Sequence, residues 1–359
     1  MHVVYNSFMG RFSDNPRALF ERLRDHPGSR HTWLQDPGHR AAFPEDVHTV
    51  EVGTPAARAA LESADLVIAG THTEMDWDKP DGATYLQTWH GTPLKRIHYD
   101  VLLVPPGRLD WLDRDIARWD ALLSPNAVST PRMRKAFAFD GDIWETGYPR
   151  NDLLVSAEAP RVRADVRREL GIEDDVVAVL YAPTWRDDEH LSGSTSVPLG
   201  LDLADLVKRL EGSGRRFQVL ARLHNMMDGR SKATEGPGVR DVTYFRDIRD
   251  LHLAADLLVT DYSSLMFDFA LTRKPMVFYA YDLERFRDEI RGFYFDLLPV
   301  APGPVVDTPE DLVAAILERT VEAGPDGDEH ERLAAFVDTF GHLEDGHATD
   351  RVLERLGLR

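Results

Sequence analysis

The clearest candidate for chemistry is a segment that follows a predicted strand and reads WHGTPLK at residues 89–95. His90 would stand at the carboxyl end of that strand, where it could act as a general base toward an alcohol. Gly91 permits a tight turn, and Thr92 with Pro93 predicts the start of a helix. The lysine that ends the segment supplies a positive charge for a phosphate. A helix-capping segment with a structural histidine is the alternative interpretation of these residues.

Two more predicted strands end in basic residues. The segment YAPTWRDD at residues 181–188 places Arg186 after a strand, which suits bidentate recognition of a phosphate. A surface ion pair with one of the two aspartates that follow is the alternative. The segment LARLHN at residues 220–225 places Arg222 and His224 in the same way. A histidine at a strand end is often a hydrogen-bonded structural residue, so both segments are candidates with a structural alternative.

A fourth segment, LVTDYSSLMFD at residues 258–268, predicts a strand, a turn and the start of a helix. Ser263 and Ser264 would present two hydroxyls beside the first free N–H groups of the helix, an arrangement that binds phosphate. The segment lacks the glycines and the Lys-Ser/Thr ending of a Walker loop. Asp261 and Asp268 have the wrong charge for a dianion, so we expect them to orient hydroxyls, a ribose or a basic side chain. Ser263 could also serve as an ordinary N-cap.

Short apolar runs alternate with amphipathic stretches along the whole chain, a pattern typical of α/β layers around parallel sheets. Three similar runs, at residues 63–72, 119–126 and 254–263, each predict a buried strand that finishes in small polar residues. The predicted strands are residues 3–5, 48–52, 65–69, 85–89, 121–124, 176–181, 217–221, 242–245, 257–260 and 276–279. The predicted helices are residues 161–170, 203–210, 247–254, 264–270, 329–340 and 349–356, with an exposed loop at residues 323–329.

The predicted strands form two series that break near residues 150–165. We therefore predict an α/β protein with two Rossmann-like domains that face a cleft, residues 1–155 and 156–359. Ligands of open α/β sheets bind at the carboxyl ends of strands. If each domain contributes one such edge, His90 and His224 would face each other and could divide proton removal and phosphate stabilisation.

The composition excludes several kinds of site. The 359 residues include no cysteine, which removes disulfides, thiolate metal sites and cysteine nucleophiles and favours a cytoplasmic protein. A formal net charge of −19 argues against nucleic acid as a partner. No apolar run reaches the roughly 20 residues needed to cross a bilayer. The DxD-like triplets at residues 76–78 and 113–115 lie in charge-rich surroundings, so we predict no metal site.

Taken together, the segments resemble the CDP-glycerol glycerophosphotransferase family of teichoic acid primases and polymerases. The resemblance runs from about residue 5 to residue 305. It is carried, in order, by YNSFMG (5–10), WHGTPLK (89–95), YAPTWR (181–186), TDYSS (260–264), FYAYD (278–282) and RGFY (291–294). The resemblance implies a GT-B fold, with an acceptor domain at the N-terminus and a domain for the CDP-activated donor at the C-terminus.

The resemblance also implies roles for particular residues. His90 is the expected base, and His224 is the second catalytic histidine, at the donor phosphates. The expected substrate-binding residues are Gly91, Thr92, Pro93, Lys95, Arg150, Thr184, Arg186, Arg222, Asp261, Ser263 and Ser264. No cofactor or metal is expected. The lipid-linked acceptor of the family implies a cytoplasmic enzyme at the inner face of the membrane, with peripheral contact.

We therefore predict transfer of glycerol phosphate from CDP-glycerol to a hydroxyl of a teichoic-acid-like or other cell-surface polymer, with release of CMP. The same segments fit another CDP-activated donor, such as CDP-ribitol, or a sugar phosphate. A module that kept the fold and lost the reaction is the alternative from another class, and it would bind CDP-glycerol without releasing CMP. The apolar segment at residues 101–112 is a candidate for lipid contact, with core packing as the alternative.

Overall fold

Strands alternate with helices along the chain and assemble into two separate parallel sheets. The structure is a computed structural model that describes residues 1–102, 107–184, 186, 201–223, 236–321 and 327–358. The strands of the first sheet are β1 (His2–Asn6), β2 (Arg30–Gln35), β3 (Thr49–Glu51), β4 (Leu66–Ala69), β5 (Thr84–Gln87), β6 (Ala121–Ser124) and β7 (Asp142–Glu145). Those of the second are β8 (Val176–Ala182), β9 (Arg216–Ala221), β10 (Val239–Asp241), β11 (Leu257–Thr260), β12 (Met276–Tyr279) and β13 (Val305–Val306).

Both sheets have the strand order of a doubly wound fold. The first is β3-β2-β1-β4-β5-β6-β7 and the second is β10-β9-β8-β11-β12-β13, with parallel pairing between neighbours. In each sheet the order reverses beside the first strand, between β1 and β4 and between β8 and β11. Ligands of such sheets bind at this reversal, outside the carboxyl ends of the strands.

The helices cover the faces of the two sheets. They are α1 (Asp14–Leu23), α2 (Pro55–Leu61), α3 (Arg108–Ile116), α4 (Thr130–Phe137), α5 (Ala159–Glu169), α6 (Leu203–Glu211), α7 (Ile248–Ala254), α8 (Leu265–Ala270), α9 (Pro309–Thr320), α10 (Gly327–Phe340) and α11 (Ala348–Arg355). Shorter helical turns occur at Pro37–Ala42, His98–Asp100, Pro149–Val155, Leu283–Arg285 and Phe286–Ile290. None of the helices in the described ranges is both long and apolar enough to cross a membrane.

Local sequence explains where several helices begin. Thr54 and Thr308 each accept a hydrogen bond from the backbone N–H three residues on, and each is followed by proline at the first helical position. Asp202 caps α6 in the same way through two backbone N–H groups. Side chains of β8 alternate between two apolar layers, with Ala178 and Leu180 in one and Val179 in the other. The second sheet is therefore buried on both faces, as parallel sheets are.

The structure confirms the α/β class and the two series of parallel strands. It adds β2 and β7, which the sequence did not reveal because polar residues interrupt both strands. The strand predicted at residues 242–245 is wrong, because the chain pairs earlier, as β10, and then turns back with a Phe245 N–H to Val242 carbonyl bond.

The helix predicted after Pro93 is also wrong. Residues 94–96 instead pair with residues 292–294, through a bridge between Lys95 and Phe293 and a 2.8 Å hydrogen bond from Tyr294 N to the Leu94 carbonyl. This pairing joins the first half of the chain to the second, so tertiary contact replaces the local helix.

The predicted division near residue 155 lies between the last strand of the first sheet and the first strand of the second. The chain returns to its first half at the end, because Val352 and Leu353 of α11 pack in the same apolar cluster as Val3 and Tyr5. The domain limits themselves stay a prediction. Of the loop predicted at residues 323–329, residues 323–326 lie outside the described residues, and the last three belong to the start of α10 instead.

Candidate active site

The carboxyl ends of the two sheets meet at a direct contact between two predicted segments. Gly91 follows β5 in the first sheet and Ser264 follows β11 in the second. A Cβ on Gly91 would lie 2.7 Å from Ser264 Oγ and 3.0 Å from its Cβ, so any larger residue would displace Ser264 from this approach. The candidate base at residue 90 and the candidate phosphate cradle at residues 263–264 are therefore neighbours, although they are far apart in sequence.

His90 is oriented by the strand beside its own. Its Nδ1 lies 2.7 Å from the carbonyl oxygen of Gly70, which follows β4. A carbonyl can only accept a hydrogen bond, so Nδ1 carries the proton and Nε2 is left with its lone pair. The ring is flanked by Phe8 at 5.2 Å and Trp89 at 4.2 Å between ring centroids. His90 is thus held in the tautomer that a general base requires.

The surroundings of His90 keep it neutral. Burial lowers the pKa of His90 to about 4, and the hydrogen bond to Gly70 and the charge of Asp14 oppose this only in part. The positive charge of Arg150 lowers the pKa further. At neutral pH the imidazole is therefore unprotonated and can accept a proton.

The turn before His90 is strained and held by side chains. Trp89 has φ of 53°, in the left-handed region that large side chains rarely adopt. Its N–H donates to Gln87 Oε1 at 2.9 Å, and its carbonyl accepts from Asn15 Nδ2 at 3.1 Å and from Thr88 Oγ1 at 3.1 Å. Strain held by so many contacts is typical of functional sites, and here it fixes the direction of His90.

Arg186 is occupied by carboxylates of its own domain. It forms two hydrogen bonds with Asp282, at 2.7 Å and 2.8 Å, and one with Asp261 at 2.9 Å. The ion pair with residue 187 or 188 that the sequence suggested lies outside the described residues. Asp261 also accepts from the N–H of Thr184 at 2.8 Å, and so links two strand ends. This geometry favours a positioning role for Arg186 over direct contact with a phosphate.

Arg150 is likewise enclosed by acidic side chains. Nη1 donates to both oxygens of Asp14 at 2.8 Å, and Nη2 donates to Asp268 at 2.6 Å. The guanidinium side chain is only 3% exposed, so a substrate phosphate has little access to it. Asp14 begins α1 and Asp268 lies in α8, so Arg150 joins the two halves of the molecule. Its predicted contact with substrate stays a prediction, and this geometry does not favour it.

Arg222 differs from these two arginines. It donates from Nη1 to the carbonyls of Val242 and Phe245 at 3.2 Å and 3.1 Å. In the described part of the chain, no carboxylate forms a salt bridge with it. Burial, with the nearby charge of Arg11, lowers the pKa of Arg222 to about 10, so it remains a cation at neutral pH. Arg222 is therefore available for an anion.

Comparison with known proteins gives the family. The family model described as CDP-Glycerol:Poly(glycerophosphate) glycerophosphotransferase matches residues 1–358. The chain belongs to this family. It is 36% identical over 368 residues to the teichoic acid glycerol-phosphate transferase of Staphylococcus aureus, covering 99% of this chain and 92% of that protein. It is 36% identical over 369 residues to the teichoic acid poly(glycerol phosphate) polymerase of Bacillus subtilis, covering 98% of this chain.

The chain spans only 48% of the length of that polymerase. A more distant relative, the teichoic acid ribitol-phosphate primase of Bacillus spizizenii, is 26% identical over 350 residues, which cover 96% of this chain and 87% of that protein. Among solved structures, the wall teichoic acid polymerase TagF matches with a TM-score of 0.85 and 32% identity, over 99% of this chain and 88% of that one.

A UDP-GlcNAc 2-epimerase from Neisseria meningitidis shares only the fold, with a TM-score of 0.56 and 13% identity over 100% of each chain. Together with the two doubly wound sheets, these likenesses confirm the predicted GT-B fold.

The remaining predicted site residues of this glycerophosphotransferase family member lie near the same contact. Thr92 and Pro93 are buried, Lys95 is half-buried in the bridge to residue 293, and Ser263 Oγ accepts from Leu265 N at 3.4 Å. The N-cap position of α8 belongs to Ser264 rather than Ser263. His224 lies outside the described residues, so its position stays a prediction.

The sequence reasoning did not identify Asn15 and Gln87, whose side chains hold the turn before His90. Asn15 acts on the backbone of a distant segment, and Gln87 binds the nearby Trp89 N–H together with the Thr71 carbonyl of another segment, so residue type and spacing carried no signal for either. Two further buried polar atoms, Asn6 Oδ1 and Thr71 Oγ1, have no hydrogen-bond partner among the residues that the structure describes. Asn6 ends β1 and Thr71 follows β4, the two strands between which the strand order of the first sheet reverses. An acceptor hydroxyl could bind there.

Proposed function

We propose that this chain transfers glycerol phosphate from CDP-glycerol to a hydroxyl of a glycerol-phosphate polymer of the teichoic acid type and releases CMP. The observation that carries the proposal is the position of His90. Its Nδ1 is bonded to the Gly70 carbonyl, which leaves Nε2 with its lone pair, and the next residue, Gly91, lies against Ser264 of the second sheet. Family membership supports the donor and the acceptor, and a TagF structure was determined after a CDPG soak.

The proposed reaction is an in-line displacement at phosphorus. The acceptor oxygen forms a bond to the β-phosphorus of CDP-glycerol, and the bond between that phosphorus and the bridging oxygen of CMP breaks. His90 Nε2 takes the proton of the acceptor hydroxyl. The hydroxyls of Ser263 and Ser264 would stabilise charge on the phosphates, and CMP leaves with the bonding electrons.

The test is release of CMP by the purified protein with CDP-glycerol and a short glycerol-phosphate acceptor. We expect His90→Asn to lower kcat by about 10²- to 10⁴-fold, the usual contribution of a general base, with little change in the affinity for CDP-glycerol. His48→Asn is the matched control, because His48 is an exposed histidine before β3 at the opposite edge of the sheet. Equal loss of CDP-glycerol binding in His90→Asn would contradict the assignment of the base.

The donor and the need for a cofactor are tested in the same assay. CDP-ribitol is the second candidate donor, because the chain is also similar to a ribitol-phosphate primase, although less so. Release of CMP from CDP-ribitol alone would keep the mechanism and change the polyol. The expectation that no metal cofactor is needed stays a prediction, so the assay is run with and without magnesium. Binding of CDP-glycerol without CMP release would indicate the non-catalytic module.

Peripheral contact with a membrane is part of the proposal, because a lipid-linked acceptor would require it. Two exposed apolar side chains support it: Tyr99 is 46% exposed and Leu102 is 44% exposed, next to the segment at residues 103–106 that the structure does not describe. Flotation with liposomes tests it, by comparing the wild type with Leu102→Asp and with Leu298→Asp, which changes a leucine that is 50% exposed elsewhere. Loss of flotation in Leu102→Asp alone would support contact through this segment.

A further inference from the structure

The arginines near the domain junction fall into two groups. Arg150 and Arg186 pair with carboxylates, as described above, and so do Arg17 and Arg249, which both contact Asp247 at 3.3 Å. Arg11 and Arg222 differ, since in the described ranges neither forms a salt bridge with a carboxylate. The charges of Asp247 and Asp250 act on Arg222 without forming an ion pair with it, and they oppose the lowering of its pKa only in part.

Arg11 is placed by a strained loop. The loop of residues 7–11 follows β1 and includes three successive positive φ angles, 43° at Phe8, 55° at Met9 and 112° at Gly10. The N–H of Arg11 donates to the Ser7 carbonyl at 2.7 Å, which closes the loop. A Cβ on Gly10 would lie 2.2 Å from the backbone nitrogen of Asp36, so the chain must be glycine there. Such strain indicates that the loop is built to present particular side chains, here Phe8 to His90 and Arg11 to the cleft.

The loop and the second sheet bring the two arginines together. Arg222 follows β9 directly, and the charge of Arg11 is the largest cause after burial of its lowered pKa. Burial also lowers the pKa of Arg11, and Tyr244 and Asp36 oppose this only in part. Arg11 Nε donates to His39 Nε2 at 3.1 Å, and the His39 ring lies 6.1 Å from that of Tyr244, which belongs to the second half of the chain. Arg222 donates to the carbonyls of Val242 and Phe245, on either side of Tyr244. Both cations therefore lie beside the turn at residues 242–245, where the two halves of the chain approach each other.

Two partly buried guanidinium groups repel each other, and an anion between them would relieve the repulsion. Both have N–H groups left for a ligand, because Arg11 uses Nε and Arg222 uses Nη1 in the hydrogen bonds above. Guanidinium groups suit phosphate oxygens through paired, charge-assisted hydrogen bonds.

We propose that Arg11 and Arg222 bind one phosphate group between the two domains, with Arg11 as a phosphate ligand contributed by the first sheet. This inference rests on the proposed function and adds a residue to its binding site. The phosphate belongs either to the diphosphate of the donor or to a phosphodiester of the acceptor.

The test compares Arg11→Gln with the matched control Arg30→Gln, which removes the same charge from an exposed position at the opposite end of β2. Titration calorimetry measures the Kd of inorganic pyrophosphate, of CDP-glycerol and of a glycerol-phosphate oligomer, with His90→Asn as the background to prevent turnover. We expect Arg11→Gln to weaken phosphate binding by about 10- to 100-fold, the usual effect of losing a charge-assisted hydrogen bond. Arg11→Lys should recover part of the loss.

The two sources of the phosphate give different results. If the bound group is a donor phosphate, Arg11→Gln should lose affinity for pyrophosphate and CDP-glycerol. If it is an acceptor phosphodiester, the variant should lose affinity for the oligomer alone. The fold-loss of affinity in the double variant Arg11→Gln, Arg222→Gln should be smaller than the product of the two single fold-losses, because both residues bind the same phosphate. Unchanged affinity of Arg11→Gln for all three ligands, or an equal loss in Arg30→Gln, overturns the inference.

These binding measurements do not depend on catalysis. If the wild type releases no CMP but Arg11→Gln still loses affinity for a phosphate ligand, the proposed function fails and the phosphate site stands. If the wild type releases CMP and Arg11→Gln binds all ligands normally, the function stands and the site fails. Circular dichroism of each variant confirms that the fold is intact.

Discussion

At the scale of single residues, His90 shows how burial and one hydrogen bond define a base. The Gly70 carbonyl fixes the proton on Nδ1, and burial keeps Nε2 unprotonated by lowering the pKa of His90 to about 4. A base with so low a pKa is weak in the empty site. Bound phosphates would supply negative charge, which raises the pKa of the imidazole and makes proton transfer more favourable as the nucleophile approaches.

The pH dependence of turnover follows from this lowered pKa. Because the folded pKa of about 4 lies below the ordinary 6.5, His90 is already unprotonated at pH 5.5, so kcat/KM should hold down to about pH 5 and fall below it. The acidic limb of the kcat profile should lie at higher pH than that of kcat/KM, because bound phosphates raise the pKa of His90. Steady-state rates between pH 4.5 and 8 measure both profiles. Coincident limbs near pH 6.5 would contradict a buried, unprotonated His90.

The same shift has a consequence for stability. The unfolded histidine binds its proton near pH 6.5, before the folded one does. The contribution of the unprotonated His90 to the free energy of unfolding is therefore fully present above pH 6.5. It is lost as the pH falls from 6.5 toward 4. The pH profile of the rate should be limited to conditions under which circular dichroism shows the native fold.

At the scale of elements, function depends on two turns that touch. The turn after β5 carries His90, and the turn after β11 carries the serine hydroxyls, and the missing side chain of Gly91 lets them meet. Each turn is anchored on its own sheet, the first through Trp89 and Gln87 and the second through Asp261, so their separation is set by the backbone. A change of a few tenths of an ångström at this contact should therefore affect the reaction.

Gly91→Ala tests this contact. Its Cβ would lie 2.7 Å from Ser264 Oγ and 3.0 Å from Ser264 Cβ, so the serine side chain must be displaced or the turns must separate, and we expect kcat/KM for CMP release to fall by about 10- to 100-fold. Gly327→Ala is the matched control, because neither glycine has positive φ and the Cβ at residue 327 would meet nothing within 4 Å. Similar rates for the two variants would show that the approach of the turns is not needed.

At the scale of the whole molecule, buried polar groups join the two halves of the chain. Arg150 binds Asp14 of α1 and Asp268 of α8 at once. Glu344 accepts the N–H of Tyr148 with both of its oxygens, at 3.0 Å and 3.2 Å, and burial raises the pKa of its carboxyl to about 8. Asn126 donates to the carbonyl of Phe340 at 2.7 Å, which attaches α10 to the first half. These contacts fix the relative orientation of the sheets, and so the geometry of the cleft.

Arg150→Met tests the central ion pair. It leaves two buried carboxylates without their cation, which typically costs about 3–5 kcal/mol of unfolding free energy. Burial and the charge of Asp14 already raise the pKa of Asp268, so this carboxyl would take up a proton in the variant. Urea unfolding measures the change, with Arg216→Met as the matched control, because Arg216 also has two carboxylate partners, Glu173 and Asp175, but is exposed.

We expect the midpoint of Arg216→Met to stay near that of the wild type, because water already solvates those charges. Arg150→Met combined with Asp14→Asn and Asp268→Asn should recover stability relative to Arg150→Met alone, because no buried charge is then left unpaired. Equal losses in the two single variants would show that burial adds nothing to the ion pair.

Much of the fold could be predicted from the order of the residues, because the relevant signals are local. A parallel strand buried on both faces must be apolar along its length, so β4, β8, β11 and β12 stand out in the sequence. The polar residues that end these strands mark the carboxyl edges, where a doubly wound sheet binds its ligands. The α/β class, the two sheets and the segments around His90 and Ser264 were therefore determined by the sequence itself.

Only the tertiary structure decided which of the candidate residues are free to meet a ligand. Arg186 finds partners 75 and 96 residues away, and Arg150 finds partners 118 and 136 residues away. Whether an arginine meets a carboxylate or keeps an open face depends on the path of the chain between them, which residue types and spacing do not specify. For the same reason the helix expected after Pro93 gave way to pairing with residue 293, and Arg11 became a candidate only when its loop was seen beside Arg222.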